Sequence, residues 1–190
     1  VQGSIAKVCG YDGRFIGYGY INHHSKIIVR LLTRKDEAID EAFFYNRIKS
    51  ANDLRLALGY ADNYRVVFGE NDLLPGLIVD KYGEYLSVQF LTLGMDIRKQ
   101  MIVDILVRIF APKGIYERSD VSVREKEGLK QFKGPIYGDF NPVVSILASS
   151  SVFFNITPKG SCPTFPIKEV FFPSLLSIAK TLHGAPPGQA

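Results

Sequence analysis

The chain has little cysteine: Cys9 and Cys162 are its only two in 190 residues. Two thiols cannot build the multi-bridge framework of a small secreted domain, nor a four-cysteine zinc site. Histidine is scarce as well. His23, His24 and His183 add no convincing metal cluster. No uninterrupted apolar run reaches the roughly 20 residues that cross a bilayer. No basic-then-apolar segment opens the sequence, so secretion has no support. A Gly-x-x-x-x-Gly-Lys-Ser/Thr loop is missing too. The nearest glycine-rich stretch, Gly17-Tyr18-Gly19, lacks a third glycine and a following helix. Glycines inside a strand instead permit a bulge or tight bend. These absences lead to an expected soluble, reduced, cytoplasmic protein with no membrane partner. Since Met is not its first residue, the chain is expected to be a piece of a longer protein.

What is present is globular. Hydrophobic residues make up 46% and charged residues 22%, which excludes wholesale disorder. The length suits one ordinary domain or two small ones. Lys and Arg outnumber Asp and Glu by 23 to 19. That mildly basic balance permits nucleic-acid binding and fits a solvated surface equally well.

Periodicity divides the chain. Two short runs, "SIAKVCG" and "RFIGYGYIN", flank Tyr11-Asp12-Gly13, an Asp-Gly hairpin signal. A third run follows, in which alternation puts Ile27, Val29 and Leu31 inward and Lys26, Ile28 and Arg30 outward. Cys9 is expected inward as a small core residue. From Ile39 to Leu58 the spacing turns helical, with Ile39, Phe43, Ile48, Ala51, Leu54 and Leu58 recurring, Asp36 as a candidate cap and Gly59 as the stop. "YRVVFGE" and two runs joined at Lys81-Tyr82-Gly83-Glu84 read as strands. A helix follows, capped by Asp96, with Met101, Ile105, Leu106 and Ile109 buried and Pro112 ending it. A strand then covers "GIYERSDVSV", and "REKEGLKQF" is a short charged helix or turn. The expected class is α+β. Residues 139–190 hold seven of the ten prolines, seven serines and only five charged side chains. There "SILASSSVFFNIT" is a candidate for strands, "FPSLLSIAKTLHG" for a helix and "GAPPGQA" for disorder; the tail is expected to pack poorly.

Chemistry is harder to place. Cys162 sits beside a proline in "GSCPTFP", where thiolate formation needs a base or positive field, and only Lys159 is near. Asp72 and Asp80 flank the Pro75-Gly76 turn; Glu117 and Asp120 are further scattered carboxylates. Either ligand presentation or plain turn capping suits the first pair. Arg14, Phe15, Tyr18, Tyr20, His23, His24, Lys26, Arg30, Arg34 and Lys35 interleave cations with rings, a mixture that suits RNA. Aromatics in alternating strands also simply form core.

The segments "GENDLLPGLIVDKYGEYLSVQFLTLGMD" and "IYERSDVSVREKEGL", together with "GRFIGYGYINHHSKIIVRLLT" and "IDEAFFYNRIKSA", resemble the RlmI-like large-subunit (23S) ribosomal RNA cytosine-C5 methyltransferases. The likeness runs from about Gly3 to Phe140. It implies an N-terminal PUA-like β-barrel that binds RNA and a central α+β domain. A C-terminal Rossmann-like domain, which holds S-adenosylmethionine and the catalytic cysteine in that family, is absent from this sequence. Beyond the match, "KGSCPTFPIKEVFFP" departs from the family pattern, with Lys159-Gly160 its last trace. The remainder has the look of out-of-frame or unrelated sequence.

The expected organisation is a partial PUA-like barrel over 1–37, a linker helix over 38–62, a central α+β domain over 63–140 and an atypical tail over 141–190. By resemblance the chain is an RNA-binding and substrate-positioning fragment, inactive alone. The expected RNA contacts are Arg14, Lys26, Arg30, Arg34, Lys35, Arg47 and Lys49, with no catalytic, cofactor-binding or metal residue; S-adenosylmethionine belongs to the full-length family. Ribosomal RNA is the implied partner, and homodimers the implied assembly. Two alternatives stay open: a small independent enzyme using Asp72, Asp80 or Cys162, and a stand-alone PUA-like RNA adaptor.

Overall fold

The structure, a computed structural model, describes residues 1–138 and the backbone of 144–147 and 153–156. Cys162, the helix expected in "FPSLLSIAKTLHG" and the disorder and poor packing expected of the tail lie outside the described residues.

The Asp-Gly signal makes a hairpin. Strand β1 (Ile5–Cys9) and strand β2 (Phe15–Ile21) pair antiparallel around Gly13, whose φ of +78° suits glycine. Strand β3 (Val29–Thr33) adds to β2, giving the order β1-β2-β3. Glycine is required inside β2. A Cβ on Gly17 would stand 2.2 Å from the Thr33 carbonyl oxygen, and one on Gly19 2.3 Å from that of Arg30. Bulges interrupt the ladders at Val8/Cys9 and Tyr18/Gly19.

These irregularities overturn simple alternation. β3 begins only at Val29, so Ile27 is 54% exposed rather than inward. Arg30 pairs with Tyr20, so the two share a face, and Tyr20 is 1% exposed. Arg30 therefore lies half-buried rather than outward. Cys9 is exposed, not core, because its ladder position falls at a bulge near the hairpin tip.

Helix α1 (Glu41–Ala57) is capped by Asp40, whose carboxylate accepts from the Phe43 amide at 3.0 Å. Asp36, the expected cap, accepts instead from the Tyr18 hydroxyl at 2.9 Å. Gly59, at φ +88°, follows the helix end as expected. Phe43, Phe44, Ile48, Ala51 and Asn52 are buried, while Leu54 and Leu58 are exposed. The stripe drifts because Asn52, held by the Tyr64 hydroxyl at 2.7 Å, takes a buried position that hydrophobicity alone would not assign.

The central sheet has the order β4-β5-β6-β7-β8: Asn63–Phe68, Leu77–Tyr82, Tyr85–Phe90, Gly114–Ser119 and Phe132–Gly138. Only β6 and β7 run parallel; the other pairs are antiparallel, so the sheet is mixed and not doubly wound. The crossover carries α2 (Leu93–Asp96) and α3 (Lys99–Phe110). Arg98, not Asp96, occupies the cap position of α3. Ile102, Val103, Ile105 and Leu106 are its buried residues; Met101 and Ile109 are only partly buried against the core. A one-turn α4 (Val123–Lys126) precedes β8. Strands β9 (Val144–Leu147) and β10 (Phe153–Ile156) form a separate antiparallel pair.

One continuous core joins Tyr20 and Leu32 of the first sheet to Ile48 of α1, Val66, Val79, Val88 and Ile115 of the central sheet and Leu106 of α3. Each fully buried aliphatic chain contributes about 1.5–3 kcal/mol of transfer free energy. The first sheet is thus fastened to the second by the same hydrophobic burial that holds each together.

Candidate nucleic-acid interface

The seven cations singled out by sequence fall into two groups. Arg14, Lys26, Arg34 and Lys35 are exposed and make no ion pair among the described residues. Arg30, Arg47 and Lys49 have partners. Arg30 meets Glu127 at 3.1 Å and Glu70 at 3.3 Å. Arg47 donates to the Leu32 carbonyl at 3.3 Å and stacks over the Phe43 ring. Lys49 pairs with Asp53 one helical turn on, at 2.6 Å.

The free cations do not form one patch. Arg14, Arg34 and Lys35 gather where the β1–β2 turn meets the end of β3, since Tyr18 pairs with Thr33 there. Lys26 lies at the opposite end, in the β2–β3 loop beside exposed Ile27 and Ile28. Lys7 joins the first group. Its ammonium stands 5.4 Å from the centre of the Phe15 ring, and Phe15 and Tyr18 lie 5.3 Å apart at 59°. Sequence reading passed over Lys7. Its only signal is the β1–β2 register, which sets it opposite Tyr18.

A polar contact fixes this sheet on the central one. The Tyr20 hydroxyl donates to the Pro75 carbonyl at 2.5 Å and lies 2.9 Å from the Thr92 hydroxyl. Its ring covers Gly94, where a Cβ would fall 2.1 Å from the ring. Burial pushes the Tyr20 hydroxyl's pKa far up, so it remains a donor. Arg98 donates to the carbonyls of Gly3 and Gly94 at 2.9 and 2.6 Å. The buried Glu127 carboxylate accepts from Ser25 at 2.6 Å, Asn22 at 3.0 Å and Arg30. Burial raises its pKa, but the hydrogen bonds outweigh it and hold the carboxyl below its ordinary value.

The scattered carboxylates are also engaged. Arg55 grips both oxygens of Asp72 at 2.5 and 2.7 Å, and Arg65 both of Asp80 at 2.7 and 3.1 Å. Glu117 is fully buried with Lys99 at 2.9 Å, an ion pair that leaves its oxygens without an aligned hydrogen bond. Asp120 pairs with Arg118. No group of three or more metal-ligating side chains occurs among the described residues.

In open sheets a nucleotide cofactor sits outside the carboxyl ends of parallel strands. Here the ends of β6 and β7 are filled. Arg124 donates to the Phe90 carbonyl and meets Asp96 at 2.9 Å, Ser119 accepts from the Phe90 amide, and Tyr20 occupies Gly94. The described residues do not fit S-adenosylmethionine there.

Residues 1–34 match the model of the PUA-like domain family. The chain is 34% identical to ribosomal RNA large subunit methyltransferase I of Vibrio cholerae over 165 residues, spanning 85% of this chain and 42% of that protein. It is 35% identical to the Aliivibrio fischeri protein of the same name, over 81% of the chain and 40% of the relative. By its N-terminal PUA-like and central region, the chain belongs to the ribosomal RNA large subunit methyltransferase I family. It spans about two fifths of the length of these curated relatives. A Streptococcus mutans protein assigned as a SAM-dependent methyltransferase shares the fold, with a TM-score of 0.67 at 18% identity over 83% of this chain and 42% of that one.

The methyltransferase I likeness reaches further than the sequence suggested. An alignment over 85% of the chain exceeds the span from Gly3 to Phe140. It therefore takes in part of the segment expected to be unrelated. No described helix is long and apolar enough to cross a membrane.

Proposed function

We propose that this chain is the RNA-binding and substrate-positioning part of an S-adenosylmethionine-dependent ribosomal RNA (cytosine-C5) methyltransferase, inactive by itself and working in the cytoplasm. The observation that carries this reading is a set of exposed, unpaired cations, Arg14, Lys26, Arg34 and Lys35, on a PUA-like sheet that Tyr20 and Glu127 fasten to the central sheet. Such cations gain from phosphate contact through counterion release, and their fixed mounting orients the RNA relative to the central domain. Arg30, Arg47 and Lys49 reach RNA only by giving up the partners described above. The independent-enzyme reading loses support, because Asp72 and Asp80 are each clamped by an arginine.

A filter-binding titration with structured ribosomal RNA at two salt concentrations tests the proposal. Binding that weakens with salt is expected. Calorimetry with S-adenosylmethionine is expected to show no heat. Absence of RNA binding at low salt refutes the RNA-binding part.

A further inference from the structure

We infer that Phe15 and Tyr18 form a stacking platform for an unpaired RNA base, with Lys7, Arg14, Arg34 and Lys35 set around it for the flanking phosphates. The inference rests on the RNA-binding reading above and names the form of RNA that this end of the sheet takes.

Strand register builds the platform. Val8 pairs with Gly17 and Cys9 with Phe15, so Ile16 is the extra residue of a bulge. That bulge reverses the alternation and brings Phe15 to the face that carries Lys7 and Tyr18. Without it, Phe15 and Tyr18 would point to opposite sides. At the Tyr20 end this same face is buried on the central sheet; at the Phe15 end it leaves that contact. Neither Phe15 nor Tyr18 belongs to the hydrophobic core or packs against it, and both stay half-exposed.

The rings are held in place. The Tyr18 hydroxyl donates to Asp36, and Lys7 stands over Phe15. Acidic groups do share this end, but each accepts a hydrogen bond from within the chain. Asp36 takes Tyr18, Asp12 takes the Arg14 amide at 3.1 Å, and Glu37 takes the Thr33 hydroxyl at 2.5 Å. Lys7, Arg14, Arg34 and Lys35 make no ion pair among the described residues. A ring pair offers a π-face, which only a base out of its duplex can cover, and surrounding ammonium and guanidinium groups suit the phosphates on either side.

The test uses the full 190-residue chain and a short single-stranded RNA carrying one 2-aminopurine, beside the same RNA in a duplex. The single strand is expected to bind more tightly than the duplex, with 2-aminopurine fluorescence quenched on binding. Phe15→Leu keeps apolar bulk and removes the ring. It is expected to weaken single-strand binding about tenfold and abolish the quenching, in line with base–aromatic stacking; Phe15→Tyr is expected to retain both. Should Phe15→Leu lower the melting temperature, photo-crosslinking of 4-thiouridine RNA to the unaltered chain decides instead, with adducts expected in the peptide holding Phe15 and Tyr18. Salt-sensitive RNA binding with equal affinity and quenching in Phe15→Leu, or crosslinks elsewhere, overturns the platform and leaves the RNA-binding reading standing. Failure to bind either RNA at low salt overturns both.

Discussion

The Glu127 carboxylate lies 3.1 Å from the Arg30 guanidinium, joining residues 97 apart in the chain across the contact between the two sheets. Ser25 and Asn22 complete its shell. A half-buried charge that loses its more buried partner is poorly compensated, and Arg30 would keep only the exposed Glu70, at 3.3 Å. Glu127→Ala leaves Arg30, Ser25 and Asn22 facing a gap. It is expected to lower unfolding free energy by about 3 kcal/mol, read by urea denaturation. Glu127→Gln keeps the shape but turns one donor toward Arg30, and a smaller loss is expected.

The same carboxylate makes the fold acid-sensitive. Its folded pKa lies below its ordinary value of 4.5. A depressed carboxyl contributes stability that is present above the ordinary value and lost as pH falls through the folded one. The urea midpoint of the unaltered protein is therefore expected to drop, as pH falls below the ordinary value of 4.5, by more than that of Glu127→Gln. Equal drops would remove Glu127 from the acid response.

Tyr20 supplies a second test of the junction. Tyr20→Phe removes the hydroxyl that donates to the buried Pro75 carbonyl and leaves that carbonyl only the longer Thr92 contact at 3.4 Å, which costs about 1–3 kcal/mol. Gly94→Ala drives a methyl into the Tyr20 ring and is expected to destabilise by about 3 kcal/mol. Both changes are measurable as shifts of the thermal midpoint. Little effect from Gly94→Ala would mean that the ring moves freely.

Charge reversal separates binding from folding. Arg14→Glu with Arg34→Glu is expected to leave the melting temperature unchanged, weaken RNA binding and lower the salt slope by about 1.4, the value for two lost single-strand contacts. Arg30→Glu faces Glu127 and Glu70 and is expected to destabilise the fold instead. Thermal melts run beside filter binding distinguish the two outcomes.

Local signals carried much of this protein. Asp-Gly at the first hairpin, the turn at Gly83, Gly59 after α1 and the helical spacing through Leu106 are set by neighbours a few residues away, and they read correctly from the chain. The α+β class followed from them; the family likeness rested instead on long segments such as "GENDLLPGLIVDKYGEYLSVQFLTLGMD". Tertiary structure decided the faces. A bulge at Ile16 and the late start of β3 changed which side each residue occupies, and two-residue alternation carries no mark of either. Arg30 reads as an exposed cation because sequence shows no acid beside it; its partners, Glu70 and Glu127, arrive from the turn after β4 and the end of α4. Asp72 and Asp80 read as ligand-presenting or turn-capping carboxylates for the same reason, until Arg55 and Arg65 fold against them. Long-range pairing turned these apparent site residues into structural ones, and it left Lys7, Phe15 and Tyr18 together where no sequence spacing announces them.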